Sequence, residues 1–150
     1  MKLFVTAVDT NVGKTVVSGI LANALRFDYW KPIQSGDLKN SDTKKVRRMM
    51  DKELKCFPEG IRLKSPLSPH ESARIDKKKI ELEKFNCPKE ENLIIEGAGG
   101  LMVPMNDDGD CIVDLIKHID AKVVLVSKNY LGSINPVSYT HLRAHETEAY

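Results

Sequence analysis

Short, almost unbroken apolar runs recur along this chain at residues 2–7, 29–33, 92–96 and 122–126, separated by stretches of mixed polarity. Runs of this length predict strands buried on both faces of a sheet. The intervening stretches carry a helical period at residues 14–25, 41–50 and 112–119. In the first of these, Val16, Val17, Ile20, Leu21, Ala24 and Leu25 fall on one wide face, which predicts that this face packs on the core. The second is polar and is expected to start with Ser41 or Asp42 as its cap. Three prolines mark residues 56–69 as loop, and residues 76–85 are polar and helix-prone. Strands and helices alternating in this order predict an α/β fold built on a mostly parallel, doubly wound sheet. Ligands of such sheets bind beyond the carboxyl ends of the strands. Residues 10–15, 31–36 and 96–100 each follow a predicted strand, so they are expected to meet at one edge.

At 150 residues the chain is one domain or a piece of one, and 41% hydrophobic with 29% charged residues suits a globular protein. No apolar run approaches the roughly 20 residues that span a bilayer, so no membrane partner is expected. Met1-Lys2-Leu3-Phe4-Val5 enters the first strand pattern directly, without the layout of a signal peptide, which predicts a cytoplasmic protein. A net charge of +2 gives no reason to expect a nucleic-acid partner. Cys56, Cys87 and Cys111 follow no metal-ligand or disulfide spacing and read as reduced thiols.

The candidate chemistry lies in the three segments expected at the sheet edge. Thr10-Asn11-Val12-Gly13-Lys14-Thr15 stands between a strand and a helix, the setting of a phosphate-binding loop. Backbone N–H groups at the helix start and the helix dipole favour an anion. Lys14 would reach outer phosphates, and the Thr15 hydroxyl would ligate Mg2+. Val8 stands where the strict pattern has glycine, and Ala7 is the nearest small residue. In Lys31-Pro32-Ile33-Gln34-Ser35-Gly36, a lysine at a strand end would neutralise charge on a transferring phosphoryl group, with Ser35 donating to an anionic substrate. Taken alone, Lys31 reads equally as a surface lysine before a turn. Asp42 is either a helix cap or a Mg2+ ligand. Glu96 closes a buried strand and is followed by Gly97-Ala98-Gly99-Gly100, which lets backbone approach phosphate closely. Lys44, Lys45, Arg47 and Arg48 read as a solvated helix face, and His70 as a turn residue or pocket lining.

Four blocks in order, Thr10-Asn11-Val12-Gly13-Lys14-Thr15, Lys31-Pro32-Ile33-Gln34-Ser35-Gly36, Glu96-Gly97-Ala98-Gly99-Gly100 and Leu131-Gly132-Ser133-Ile134-Asn135, together resemble the dethiobiotin synthetase family, with Ser68-Pro69-His70 a weaker fifth. The resemblance runs from residue 1 to about 136. It implies a P-loop NTPase fold and ATP-dependent carboxylation and ring closure of 7,8-diaminononanoate with CO2, giving dethiobiotin, ADP and phosphate in biotin synthesis. Carried over by motif, Lys31 is the catalytic lysine, with Lys14 beside it, and Ser35 contacts substrate. Asn11, Val12, Gly13, Lys14, Thr15 and Val16 form the phosphate loop. Asp42, Glu96, Gly97, Ala98 and Gly99 lie along the nucleotide. Thr15, Asp42 and Glu96 match the Mg2+ ligands. A homodimer sharing its active sites is implied.

The sequence departs from that pattern at Ala7, in the short segment between the loop and Lys31, and after residue 136. Residues 137–150 resemble one translated frame of a transposase adapter used in sequencing libraries, which makes them a non-native tail on an incomplete domain. His141 and His145 are set aside with it. An incomplete domain is expected to be unstable or weakly active, and a nucleotide-binding but inactive fragment is one alternative. A partition or septum-site ATPase switch is another, but its signature lysine would stand at Asp9. A cobyrinate-type amidotransferase would need a glutaminase domain for which the chain has no room.

Overall fold

The computed structural model describes residues 1–129 together with Ile134 and Ser138. Along the chain run β1 (Lys2–Ala7), α1 (Lys14–Leu25), β2 (Asp28–Trp30), β3 (Ile33–Ser35), α2 (Asp42–Met49), β4 (Ile61–Leu63), α3 (Pro69–Ile75), β5 (Leu93–Gly100), α4 (Ile112–Ile119) and β6 (Lys122–Val126). The main sheet has the order β2-β5-β1-β6 with every pair parallel, and β3 and β4 form a separate parallel pair. The α/β fold and mostly parallel sheet expected from the sequence are therefore present. The Leu131–Asn135 block and residues 137–150 lie outside the described residues, Ile134 and Ser138 excepted.

Strand alternation divides the core into two halves. Phe4, Trp30, Leu93 and Ile95 face a cluster with Leu115 and Ile116 of α4. Val5, Tyr29 and Ile94 face the opposite cluster with Ala22 of α1 and Val46 of α2. Glu96 follows Ile94 by two residues and so turns toward the α1 side. Between Val5↔Glu96 and Ala7↔Gly100 the register slips, two steps on β1 passing four on β5. The extra backbone, around Gly97 to Gly99, opens the sheet edge where the site lies. Cys56, Cys87 and Cys111 are free and half-buried, and burial pushes the Cys56 thiol up to about 11. No helix among the described residues is long and apolar enough to cross a membrane.

Four expectations are corrected. First, α1 does not bury its wide apolar face. It packs through Ser18, Gly19 and Ala22, leaving Val16 and Ile20 53% and 60% exposed. The helices come close at Gly19, where an added Cβ would stand 2.9 Å from Met49 Cε and a larger residue would displace that flexible side chain. Second, the strand expected at 29–33 breaks into β2 and β3, because Pro32 has no N–H to extend the ladder. Third, residues 56–69 contain β4, and α3 follows from Pro69, with proline at the helix start. Fourth, residues 76–85 form only a 3-10 turn at Leu82–Lys84. They lack an apolar stripe, and Ile80 and Phe85 are the residues that enter the core.

Candidate active site

The loop after β1 turns through left-handed backbone at Asn11 (φ 57°) and Gly13 (φ 103°) before α1 begins. Gly13 is the residue that makes this turn without strain, since L side chains rarely adopt its φ. No side chain caps α1 and no acidic residue stands in its first turn. Its first N–H groups therefore face the cleft with the positive end of the helix dipole behind them. Lys14 is buried to 9% exposure, yet among the described residues its Nζ donates only to the Asp9 carbonyl oxygen at 3.1 Å. Burial holds the Lys14 ammonium below its ordinary pKa, and neighbouring Lys31 lowers it further. A group in that state has a strong demand for an anion.

Opposite this loop, Lys31 projects from the end of β2. Its Nζ stands 3.1 Å from Glu96 Oε1 and 3.1 Å from Asp42 Oδ2, and donates to the Gly97 carbonyl oxygen at 3.3 Å. The Thr15 hydroxyl donates to the same Glu96 Oε1 at 2.9 Å. Lys31 is 3% exposed, so the reading of a surface lysine before a turn is excluded. Burial alone would lower its pKa. Glu96 and Asp42 outweigh burial and hold it above the ordinary value of 10.5. For Asp42, burial acts upward, but Lys31 and Lys45 prevail and keep the carboxyl below its ordinary 3.8.

Asp42 is the first residue of α2, not its cap. Ser41 takes the cap position without a side-chain bond, and the Asp42 N–H donates instead to Gln34 Oε1 at 3.1 Å. Gln34 Nε2 in turn donates to the Gly36 carbonyl oxygen at 3.0 Å, which fixes the 34–36 turn against α2. Gly36 (φ 70°) is a second constrained glycine, because a Cβ there would meet Pro66 at 2.6 Å. Ser35 Oγ is buried and has no hydrogen-bond partner among the described residues. Lys45 is not a free solvated lysine: it pairs with Asp37 at 3.1 Å and with Asp42 at 3.3 Å.

These groups line one cleft of about 720 Å3. It collects Asn11, Gly13, Lys14, Thr15, Lys31, Ser35, Asp42, Glu96, Gly97, Ala98 and Gly99, so the three segments expected at the sheet edge meet there. The side chains of Val12 and Val16 do not line it, and neither does His70, although Ser68 and Pro69 do. Gln34 and Lys45 were not anticipated as lining residues, and Tyr29, just behind the cleft, was not anticipated at all. Tyr29 carried one legible signal, since it precedes Lys31 by two residues and so shares its side of an extended segment.

Asp42 and Glu96 converge on a cation, the Lys31 ammonium, and Thr15 bonds Glu96 beside them, so the donor set consists of oxygens. No group of three His, Cys, Asp or Glu side chains that would hold a metal by itself occurs among the described residues. Two carboxylates and a hydroxyl fit Mg2+, which is bound by few protein ligands with phosphate oxygens completing its shell.

The linked pKa shifts set a pH window. The stabilisation from Asp42 is present above its unfolded value near 3.8 and is lost as pH falls through the lowered folded value. That from Lys31 is present below 10.5 and is lost as pH rises through the raised folded value. Asp42→Asn is therefore expected to flatten the acid limb of stability, measured by urea unfolding between pH 2 and 5. An acid limb superimposable on that of the unsubstituted chain would contradict it.

Comparison with known proteins adds the following. A family model described as AAA domain matches residues 1–149. An ATP-dependent dethiobiotin synthetase BioD of Christiangramia forsetii is 52% identical over 134 residues, covering 88% of this chain and 64% of the relative. One of Cytophaga hutchinsonii is 47% identical over 148 residues, covering 97% and 69%. One of Chlamydia pneumoniae is 44% identical over 140 residues, covering 93% and 63%. The chain spans about two thirds of the length of these curated relatives.

Proposed function

We propose, from the premise that this chain belongs to the dethiobiotin synthetase family, that its cleft serves the ATP-dependent carboxylation and ring closure of 7,8-diaminononanoate with CO2. The observation that carries this reading is the convergence of Lys31, Asp42, Glu96 and Thr15 beside an uncapped helix start. An amine of the substrate takes up CO2 as a carbamate. The carbamate oxygen attacks the γ-phosphate of ATP and expels ADP, and the second amine attacks the carbonyl of the resulting carbamic–phosphoric anhydride, closing the ureido ring with loss of phosphate. The α1 N–H groups and Lys14 bind the phosphates, which meets the unfilled demand of Lys14 for an anion. Lys31, which lines the same cleft as Lys14, stabilises charge developing on carbamate and phosphoryl oxygens. Ser35 Oγ, which has no partner among the described residues, bonds the substrate. Thr15, Asp42 and Glu96 hold Mg2+, which supplies charge neutralisation at the phosphates. Asn11, Gly13, Gly97, Ala98 and Gly99 bring backbone along the nucleotide, with Val12 and Val16 contributing main chain only.

The catalytic unit is read as residues 1–136 of a cytoplasmic homodimer, with residues 137–150 a non-native tail. A nucleotide-binding but inactive form of this chain is the second reading, favoured by its covering only 64% of the Christiangramia forsetii relative. A carboxylation assay with labelled CO2 separates them. It compares this chain with a version extended by the C-terminal third of that relative. The extended protein is expected to form labelled dethiobiotin in an ATP- and Mg2+-dependent way, and the shorter chain much less. No dethiobiotin from either would end the assignment, whereas full activity in a monodisperse shorter chain would end the incomplete-domain reading.

A further inference from the structure

Tyr29 is fully buried, with its ring in the cluster formed by Val46, Met50, Leu54 and Ile94. Phenylalanine would fill the same apolar space, and a hydroxyl buried there without a partner would be costly. Its partner is Glu96: Tyr29 Oη donates to Glu96 Oε2 at 2.8 Å. The two oxygens of Glu96 thus have separate duties. Oε1 faces the cleft and receives Thr15 Oγ1 at 2.9 Å and Lys31 Nζ at 3.1 Å, while Oε2 faces the core and receives Tyr29. Sheet register produces this arrangement. Tyr29 pairs with Ile94, and Glu96 lies two residues further on the same face.

The last side-chain torsion of a glutamate is broad and roughly two-fold, so packing alone does not fix the carboxylate plane. The Tyr29 bond does fix it, because turning the carboxylate would strand a buried hydroxyl. Tyr29 does not line the cleft and touches no reacting atom.

We propose that Tyr29 is a positioning residue that holds Glu96 with Oε1 toward the cleft and thereby sets the affinity of the site for a divalent cation. This rests on the reading above in which Glu96 is a cation ligand. Hydrogen-bond partners behind metal ligands typically change metal affinity by about 10- to 100-fold when removed.

The experiment measures Mn2+ binding to the 150-residue chain by electron paramagnetic resonance with a non-hydrolysable ATP analogue present. Nucleotide affinity in EDTA is measured in parallel. Tyr29→Phe keeps the ring and removes only the hydroxyl. It is expected to weaken Mn2+ binding about 10-fold or more, with metal-free nucleotide affinity unchanged. In a Glu96→Gln background the same substitution is expected to add nothing. Met50→Ala, a packing defect in the same cluster, is expected to lower thermal stability without moving Mn2+ affinity. Equal Mn2+ affinity in the unsubstituted and Tyr29→Phe chains overturns the role of Tyr29 alone, as does an equal loss in Met50→Ala. No Mn2+ binding by the unsubstituted chain overturns the cation-site reading as well. Should Tyr29→Phe fail to fold, a ring-13Cζ tyrosine label in the unsubstituted chain reads the same bond. The Tyr29 resonance is expected to move when Mg2+ joins the nucleotide, and a resonance that stays fixed overturns the proposal.

Discussion

Lys31→Ala should lower the rate of the proposed carboxylation by about 10²–10³-fold, the usual effect of removing one preorganised charge or donor from a developing anion. Affinity for ATP should change little, because Lys31 stands outside the 10–15 loop and the start of α1 that receive the phosphates. The loss should therefore fall on turnover and not on nucleotide binding, and single-turnover measurement on the extended protein separates the two. Lys31 also has a role in the resting fold, since its ammonium is the shared counter-charge of Asp42 and Glu96. Without it Glu96 loses its ion pair, and Asp42 keeps only Lys45. Metal-free Lys31→Ala should thus melt below the unsubstituted chain, and Mg2+ should restore more stability to the variant than to its parent. Unchanged turnover in Lys31→Ala would remove the residue from the mechanism.

Glu96→Ala should be the most destabilising change in the site. Glu96 is 1% exposed and accepts from Thr15, Tyr29 and Lys31. Its removal strands the Tyr29 hydroxyl in an apolar cluster and leaves the Lys31 ammonium to Asp42 alone. Breaking a buried pair from one side costs about 3–5 kcal/mol. In a chain of this size each kcal/mol moves the midpoint by about 2–4 °C, so a fall of about 6–20 °C is expected by calorimetry or circular dichroism. Glu96→Gln, which keeps shape and one acceptor, should lose less. A Glu96→Ala midpoint within about 2 °C of the parent would mean that the carboxylate is not the anchor of this network.

Much of the site was legible in the sequence because its parts follow apolar runs, although β5 extends through Gly100 and Glu96 lies within it instead of closing it. Thr10 to Thr15, Lys31 to Gly36 and Glu96 to Gly100 each follow an apolar run, and a parallel sheet brings such segments to one edge. Contributions from behind the edge were not legible. Tyr29 reads as core, Gln34 as one turn residue among several, and Lys45 as part of a charged face. Their roles depend on bonds to Glu96, the Asp42 N–H and Asp37. The burial of α1 was misread for a related reason. Periodicity counts apolar residues on a face, but the residues α1 buries on its neighbours include Ser18, Gly19 and Ala22, with Met49 of α2 against Gly19.

The sequence by itself determined the four buried apolar runs, the helices near residues 14–25, 41–50 and 112–119, the α/β class and the positions of the loop, Lys31, Asp42 and Glu96, because these follow from local period and residue type. Tertiary structure alone decided that Lys31 is buried between two carboxylates and that Glu96 divides its oxygens between cleft and core. The partners of Glu96 are 65, 67 and 81 residues away in the chain. Such bonds are set by strand register and by how closely helices approach the sheet, which no local pattern encodes.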